Sequence, residues 1–400
     1  MNLILFDEPS VRGNLLPLTF TRPVAGIRFG ILTLSEKWEK RLNCKASYKT
    51  ETYLQEKFPL FIDSGKPNFW VNGSICPNDE LISEITALRE GEVLNKGNLL
   101  LAVNSGLKPW DPEVFKPVKT VESKTAFLRL ENLWNIFRLN GEAIREDYEF
   151  ITCGRKSAPL SPSNTLLGKE IFLEEGAVVE CAILNTLTGP VYVGKDSEIM
   201  EGSAIRGPFA LGEHAVLKMG AKIYGPTTIG PYSKVGGEVS NSVILGYSNK
   251  GHDGFLGNSV LGEWCNLGAD TNNSNLKNNY GEVKLYNYLK NNSVGTGLQF
   301  CGLIMGDHSK TGINTMLNTG TVVGVSANIF GGGFPDAFVP DFSWGGIKNN
   351  QVYRLDKALE VASRVLERRD QVLDEKERKM LSHIFELTIK LRSLKPAQGL

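Results

Sequence analysis

Between Val193 and Ser259 an aliphatic residue followed by glycine returns at a fixed step: Val193-Gly194, Leu211-Gly212 and Ile229-Gly230 stand 18 residues apart. Small residues keep the same step at Ser197, Ala215 and Ser233, and again at Ser203 and Ala221. A period of three hexapeptides suits a parallel β-helix of triangular cross-section: each short strand turns one apolar side chain inward, and each corner takes a small residue. The pattern predicts such a solenoid from about Ile171 to Val339. Ser259 lies 26 residues after Ser233, eight more than one coil, which predicts a loop extruded within that turn. An Asn-rich run, Asn272 to Gly281, does not fill hexad positions and is expected to project from the coils between Thr271 and Thr296.

On either side of the repeat the period changes. Short apolar runs (Leu3 to Phe6, Leu99 to Val103) alternate with a helical pattern over Thr125 to Leu139, where Phe127, Leu130, Leu133, Trp134 and Phe137 share a face. That alternation predicts an α/β domain over residues 1–153. Gly154 to Asn164 is rich in Ser and Pro and reads as a linker, taken as 154–165, ahead of a solenoid over 166–346. In the last segment, 347–400, Val352, Leu355, Leu359, Ala362 and Leu366, and later Leu381, Ile384, Leu387 and Leu391, mark one or two amphipathic helices. They are expected to cover the open end of the solenoid or to meet another subunit.

Composition narrows the class. The 400 residues carry 44 basic and 44 acidic side chains, so nothing marks a nucleic-acid groove. No apolar run approaches the roughly 20 residues that span a bilayer. Met1 to Asp7 contains no basic leader, and the six cysteines form no CxxC pair, which together predict a reduced, cytoplasmic protein without disulfides or zinc.

Leu16-Pro17-Leu18-Thr19-Phe20-Thr21-Arg22-Pro23, following an initial strand, resembles the signature loop of sugar-1-phosphate nucleotidyltransferases. In that family a Gly-rich loop wraps the nucleotide phosphates and cations neutralise the two reacting polyanions. Here Phe6 to Gly13 replaces the Gly-rich run, and Asn14 and Val24 stand at the family's Arg and Lys positions. Arg12 and Arg22, each two residues from such a position, are either shifted phosphate ligands or ordinary surface charges. The family's metal-binding Gly-Asp has its counterpart at Asn72-Gly73, so the resemblance implies Mg2+ held partly by Asn72, with Asp79 or Asp111 as further carboxylates.

A second stretch, Ser248-Asn249-Lys250-Gly251-His252-Asp253-Gly254-Phe255-Leu256-Gly257, resembles the acetyltransferase half of the bifunctional family that acetylates glucosamine 1-phosphate and uridylylates the product. Leu267 to Thr271 and then Asn275 are similar to the family's Gly-Ala-x-Thr run and following Asn. The resemblance implies an α/β nucleotidyltransferase-like domain, a left-handed parallel β-helix and a C-terminal amphipathic helix. It implies His252 as the base that takes the amine proton from the acceptor, a task for which imidazole is suited. Glu238 and Asn275 would place the amino sugar, and Phe255, where the family has Tyr, would wall it. Lys250 and Arg206 are the cations available for the sugar phosphate, with exposed corner charges as the other reading of each. Lys310, among small residues of a late coil, would meet acetyl-CoA, and the family binds that donor between subunits of a homotrimer. The expected protein uses sugar phosphate, UTP and acetyl-CoA to make UDP-N-acetylglucosamine or a relative for the cell envelope. Two other readings stand beside it: a nucleotidyltransferase alone, and a non-catalytic trimeric scaffold.

Overall fold

The computed structural model describes residues 1–346 and 351–393; positions 347–350 and 394–400 of the expected helical segment lie outside the described residues. The chain forms two compact units. One contains residues 1–15, 21–27 and 32–132, and the other contains 16–20, 28–31 and 133 onward. The first therefore closes at Asn132 and not at the expected residue 153.

In the first unit, β1 (Asn2–Phe6), β2 (Ala46–Lys49), β3 (Asn68–Asn72), β4 (Glu92–Lys96), β5 (Leu99–Asn104) and β6 (Lys119–Glu122) form one sheet in the order β2-β1-β3-β5-β4-β6. β1 runs parallel to both β2 and β3, while β5 is antiparallel to β3 and β4. A central parallel strand is covered on both faces, so β1 is apolar at successive positions and Leu3, Ile4, Leu5 and Phe6 are all buried. The helices are α1 (Pro9–Asn14), α2 (Leu34–Leu42) and α3 (Asp79–Thr86). Thr33 and Glu36 start α2 with reciprocal side-chain-to-backbone bonds, and α2 buries Leu34 and Trp38. The helix expected over 125–139 exists only as α4 (Leu133–Arg138). Its first half is extended because Cys76 donates to the Leu128 carbonyl and Leu130 to that of Ser74, an antiparallel bridge that helix formation would break.

The second unit is the parallel β-helix. Its flat faces are a six-stranded sheet ending at Phe255–Gly257, a nine-stranded sheet ending at Phe338–Val339, and a five-stranded sheet ending at Asn249–Lys250. Each inward column is aliphatic; Val179, Ile199, Leu217 and Val235 form one of them. The register steps by 18 residues from Phe209 to Thr227, but by 15 from Thr228 to Val243 and by 17 from Val243 to Val260. No eight-residue loop is extruded after Ser233. Its structural counterpart is Ser248, whose carbonyl accepts from Lys234, while Ser259 continues the corner of Ser242. Asn272 and Asn273 also belong to a coil, paired with Met316 and Leu317. The excursion begins beyond them and carries a hairpin of Lys284–Asn287 with Asn292–Gly295.

The expected linker is part of this unit. Ala158 donates to the Leu173 carbonyl, Arg155 pairs with Glu174, and Ala158 and Leu160 pack on the solenoid core. Helix α5 (Asn140–Thr152) lies on the nine-stranded face, where a Cβ at Gly141 would stand 3.1 Å from Pro226. Asn140 Oδ1 accepts from Gly30 N and Thr228 Oγ1, and Asp147 accepts from Ile31 N. Helices α6 (Leu355–Glu367) and α7 (Glu375–Leu387) run along the side of the coils and do not cap the end: Arg369 reaches Asn249, Glu377 lies 3.8 Å from His308, and Phe385 meets Phe342 edge-on.

One buried carboxylate gives a test of this packing. Asp341 accepts from Val325 N at 2.6 Å and from the Tyr288 hydroxyl at 3.0 Å, tying the hairpin end to the coils. Burial pushes its pKa up to about 6, against the lowering effect of these bonds and of Arg392. The folded state therefore holds this proton over the window from about 3.8 to 6 in which the unfolded chain releases it, and stability falls as pH rises through that window. Asp341→Asn is expected to raise the thermal midpoint by a few degrees at pH 7.5 and by less at pH 4, measured by calorimetry.

Candidate active site

The turn that carries His252 is shaped by its neighbours. Lys234–Val235 pairs with Asn249–Lys250, and Glu238–Ser240 with Phe255–Gly257, so the chain must round the corner between them through Gly251-His252-Asp253-Gly254. Below it lies Gly236-Gly237. Gly237 has φ +70°, and a Cβ there would meet the His252 carbonyl oxygen at 2.8 Å. The paired glycines thus let one corner pass close over another. His252 is exposed at this corner and lines two adjoining cavities.

The larger cavity, about 510 Å³, lies between the coils and the end of α6. Lys218, Lys234, Lys310, Arg368 and Arg369 line it, and among the described residues it receives no carboxylate and none of these cations is held in a salt bridge. Burial lowers the Lys234 pKa and Arg369, Lys218 and Arg368 add to the effect; burial also brings Lys310 down to about 8. Crowded, desolvated cations of one sign make a cleft that attracts a polyanion. One wall is aromatic. His214, Tyr232, Tyr247, Trp264 and His308 occupy successive corner positions with positive φ, and their rings stack at centroid separations of 4.7, 5.0, 4.4 and 6.4 Å. The second cavity, about 470 Å³, is lined by Lys218, Gly237, His252, Ala269 and the carboxylates of Asp253 and Asp270.

The other residues expected at this site divide. Glu238 and Phe255 are direct partners on the six-stranded face, next to the His252 turn. The Phe255 ring folds over Gly257 toward Asn275, whose amide donates to Asn258 Oδ1 at 2.8 Å. Lys310 lines the cationic cavity, as the donor reading requires. Arg206 does not join them: it is exposed in a strand two coils before Glu238, in register with Tyr224 and Ser240. Lys250 is neither of the things expected of it. Its register with Val235 sends it into the interior column, and only 2% of it is exposed.

In the first unit the structure overturns both expected phosphate ligands. Arg12 is buried, donating to the Tyr53 hydroxyl at 2.8 Å and lying 3.4 Å from Glu51 and 3.8 Å from Asp7. Arg22 is 4% exposed and packs along Gly26. Leu18, Thr19, Phe20 and Thr21 are buried as well, so the signature-like stretch is a core segment; in the second unit Phe20 meets Tyr288 edge-on at 5.2 Å. Asn72 is also committed: its Oδ1 accepts from Ser74 N and Ser74 Oγ, and its amide donates to the Leu100 carbonyl. These bonds leave the oxygen poorly placed to coordinate Mg2+. Among the described residues no group of three or more His, Cys, Asp or Glu could hold a metal ion.

Sequence reading missed Lys218, Lys234, Asn266, Arg368 and Arg369. A signal existed for the last two, adjacent arginines at the end of an amphipathic helix, but nothing in the repeat says which face that helix covers.

Residues 3–156 match the family of sugar nucleotidyl transferases. A bifunctional sugar-1-phosphate nucleotidylyltransferase/acetyltransferase of Sulfurisphaera tokodaii is 29% identical over 235 residues, 58% of this chain and 58% of that relative. The bifunctional protein GlmU of Methanocaldococcus jannaschii is 36% identical over 87 residues, 22% of this chain and 21% of the relative. The chain thus spans little more than half the length of the first of these relatives. Among solved structures, an Arabidopsis UDP-N-acetylglucosamine acyltransferase matches 60% of this chain and 99% of its own at 15% identity, with a TM-score of 0.26.

A buried, multiply bonded arginine behaves differently from a solvated phosphate ligand. Arg12→Met is expected to destabilise the fold by about 2–4 kcal/mol, because it strips partners from buried Asp7 and Tyr53. Chemical denaturation measures the loss; an unchanged midpoint would return Arg12 to the role of surface ligand.

Proposed function

We propose that the second unit transfers an acetyl group from acetyl-CoA to the amine of a hexosamine phosphate, with His252 as the base. One observation carries this reading: His252 lines both a cavity furnished with cations and a cavity furnished with carboxylates. A polyphosphorylated donor suits the first, and an acceptor that arrives as an ammonium suits the second.

In the proposed reaction the neutral amine attacks the thioester carbonyl carbon. The C–N bond forms, the C–S bond breaks, and the amine proton passes to the His252 imidazole and on to the departing thiolate. Lys218, Lys234, Lys310, Arg368 and Arg369 would hold the donor's phosphates, and the aromatic wall at Tyr247 and Trp264 offers its base a stacking surface. Glu238, Phe255 and Asn275 stand on the acceptor side.

The first unit is carried in the same proposal as the nucleotidyl-transfer half, giving UDP-N-acetylglucosamine or a related nucleotide sugar. Pyrophosphate release from UTP and N-acetylglucosamine 1-phosphate measures it. Asn72 does not fit the magnesium role, so no step is routed through a metal there. A homotrimer also belongs to the reading, supported by exposed Ile313, Phe330 and Phe334 on the late coils. A cytoplasmic location is part of it; no helix among the described residues is long and apolar enough to cross a membrane.

Acetyl release from acetyl-CoA with glucosamine 1-phosphate tests the acetyl-transfer reading. His252→Ala is expected to lower kcat by about 10²–10⁴, and equal turnover in both proteins would remove His252 as the base. Arg368→Ala combined with Arg369→Ala is expected to raise KM for acetyl-CoA about tenfold, roughly the effect of losing one or two charge-assisted bonds, while leaving KM for acetyl-pantetheine, which lacks the nucleotide, nearly unchanged. Equal shifts for the two donors would move the phosphates out of this cleft.

A further inference from the structure

The interior column that begins Val179, Ile199, Leu217, Val235 continues with Lys250 before it returns to Leu267. A side chain with a charged end thus stands in a file of aliphatic ones. Its Nζ makes a single hydrogen bond, 2.5 Å, to the carbonyl oxygen of His252 two residues on. An ammonium has three protons to place and is among the groups least often buried. In this position it works against the fold, and a valine or leucine would continue the column.

We propose that Lys250 is a positioning residue, anchoring the Gly251–Gly254 turn from inside the prism so that the imidazole of His252 is presented to the acceptor. The proposal rests on the acetyl-transfer reading given above. Gly251 and Gly254 flank His252 and Asp253, so the turn has little stiffness of its own. The anchor acts on the backbone of His252 itself. Asp253 and Asp270, the charged groups that face Lys250, favour its ammonium form, while burial is the larger influence and brings its pKa down to about 8.

The position makes an unusual combination of effects. Lys250→Met keeps the length and removes the charge. Because the folded value lies below the usual 10.5, the unfolded chain binds this proton more tightly, and the cost of burial is present below about pH 8 and fades toward pH 10. Lys250→Met is therefore expected to raise the thermal midpoint by several degrees at pH 7 and by little at pH 10. It should nonetheless lower kcat for acetyl transfer 10- to 100-fold with KM for acetyl-CoA unchanged. Cleavage of the His252–Asp253 bond by an endoproteinase that cuts before Asp, followed by mass spectrometry, reads the turn without reference to activity. It should run several-fold faster in Lys250→Met despite the higher midpoint, because local opening is governed by the turn and not by the global fold. A lowered midpoint would make Lys250 an ordinary core residue, and an unchanged cleavage rate would overturn the anchor. Faster cleavage with undiminished turnover, alongside an active His252→Ala protein, would leave the anchor standing and sink the catalytic reading on which its purpose depends.

Discussion

Every coil of the solenoid depends on the coil beside it for its backbone hydrogen bonds. A strand of two or three residues, such as Glu198–Ile199 between Val178–Val179 and Val216–Leu217, has no stability alone. Stacked in parallel, it satisfies its polar backbone along one axis and its apolar side chains across the other. This double demand fixes which residue faces inward at each level, and so fixes where any departure from aliphatic character must be felt. The His252 turn and Lys250 are both set by that register.

Much of this was legible in the sequence, for a physical reason. A repeat is read many times over, and Val193-Gly194, Leu211-Gly212 and Ile229-Gly230 each report the same inward position. What failed was phase: Ser259 was assigned to the corner of Ser233 because both are serines, whereas two shortened coils bring Ser248 there. The same misphasing concealed Lys250, since nothing in Asn249-Lys250-Gly251 distinguishes an inward from an outward lysine until the partner strand is known. Motif resemblance located the neighbourhood of His252, Glu238, Phe255 and Asn275, yet it could not foresee that α6 would bring Arg368 and Arg369 to the other side of the cleft.

The first unit shows the opposite case. Arg12, Arg22 and Asn72 were singled out for residue type and proximity to a motif, and each is consumed by internal bonding or packing. A charged residue in a loop is exposed by default, and burial of the whole Leu18–Thr21 stretch is a tertiary outcome that local pattern does not carry. Chemistry and architecture consequently part company along the chain. The polar groups of the first unit are mainly spent on holding it together, whereas those around His252 are crowded with like charge and under-compensated.

The file of rings from His214 to His308 bears on how such a chain can vary. Each ring needs a left-handed corner and a neighbour at stacking distance, and the file persists through coils of 15, 17 and 18 residues because the strands absorb the difference. Removing part of a coil would shear the file, while removing or duplicating an entire turn would leave two flush ends that can rejoin. Growth and loss in this half of the protein are thereby quantised, like courses of brick, and a cleft built from consecutive turns can be lengthened only by a full course at a time.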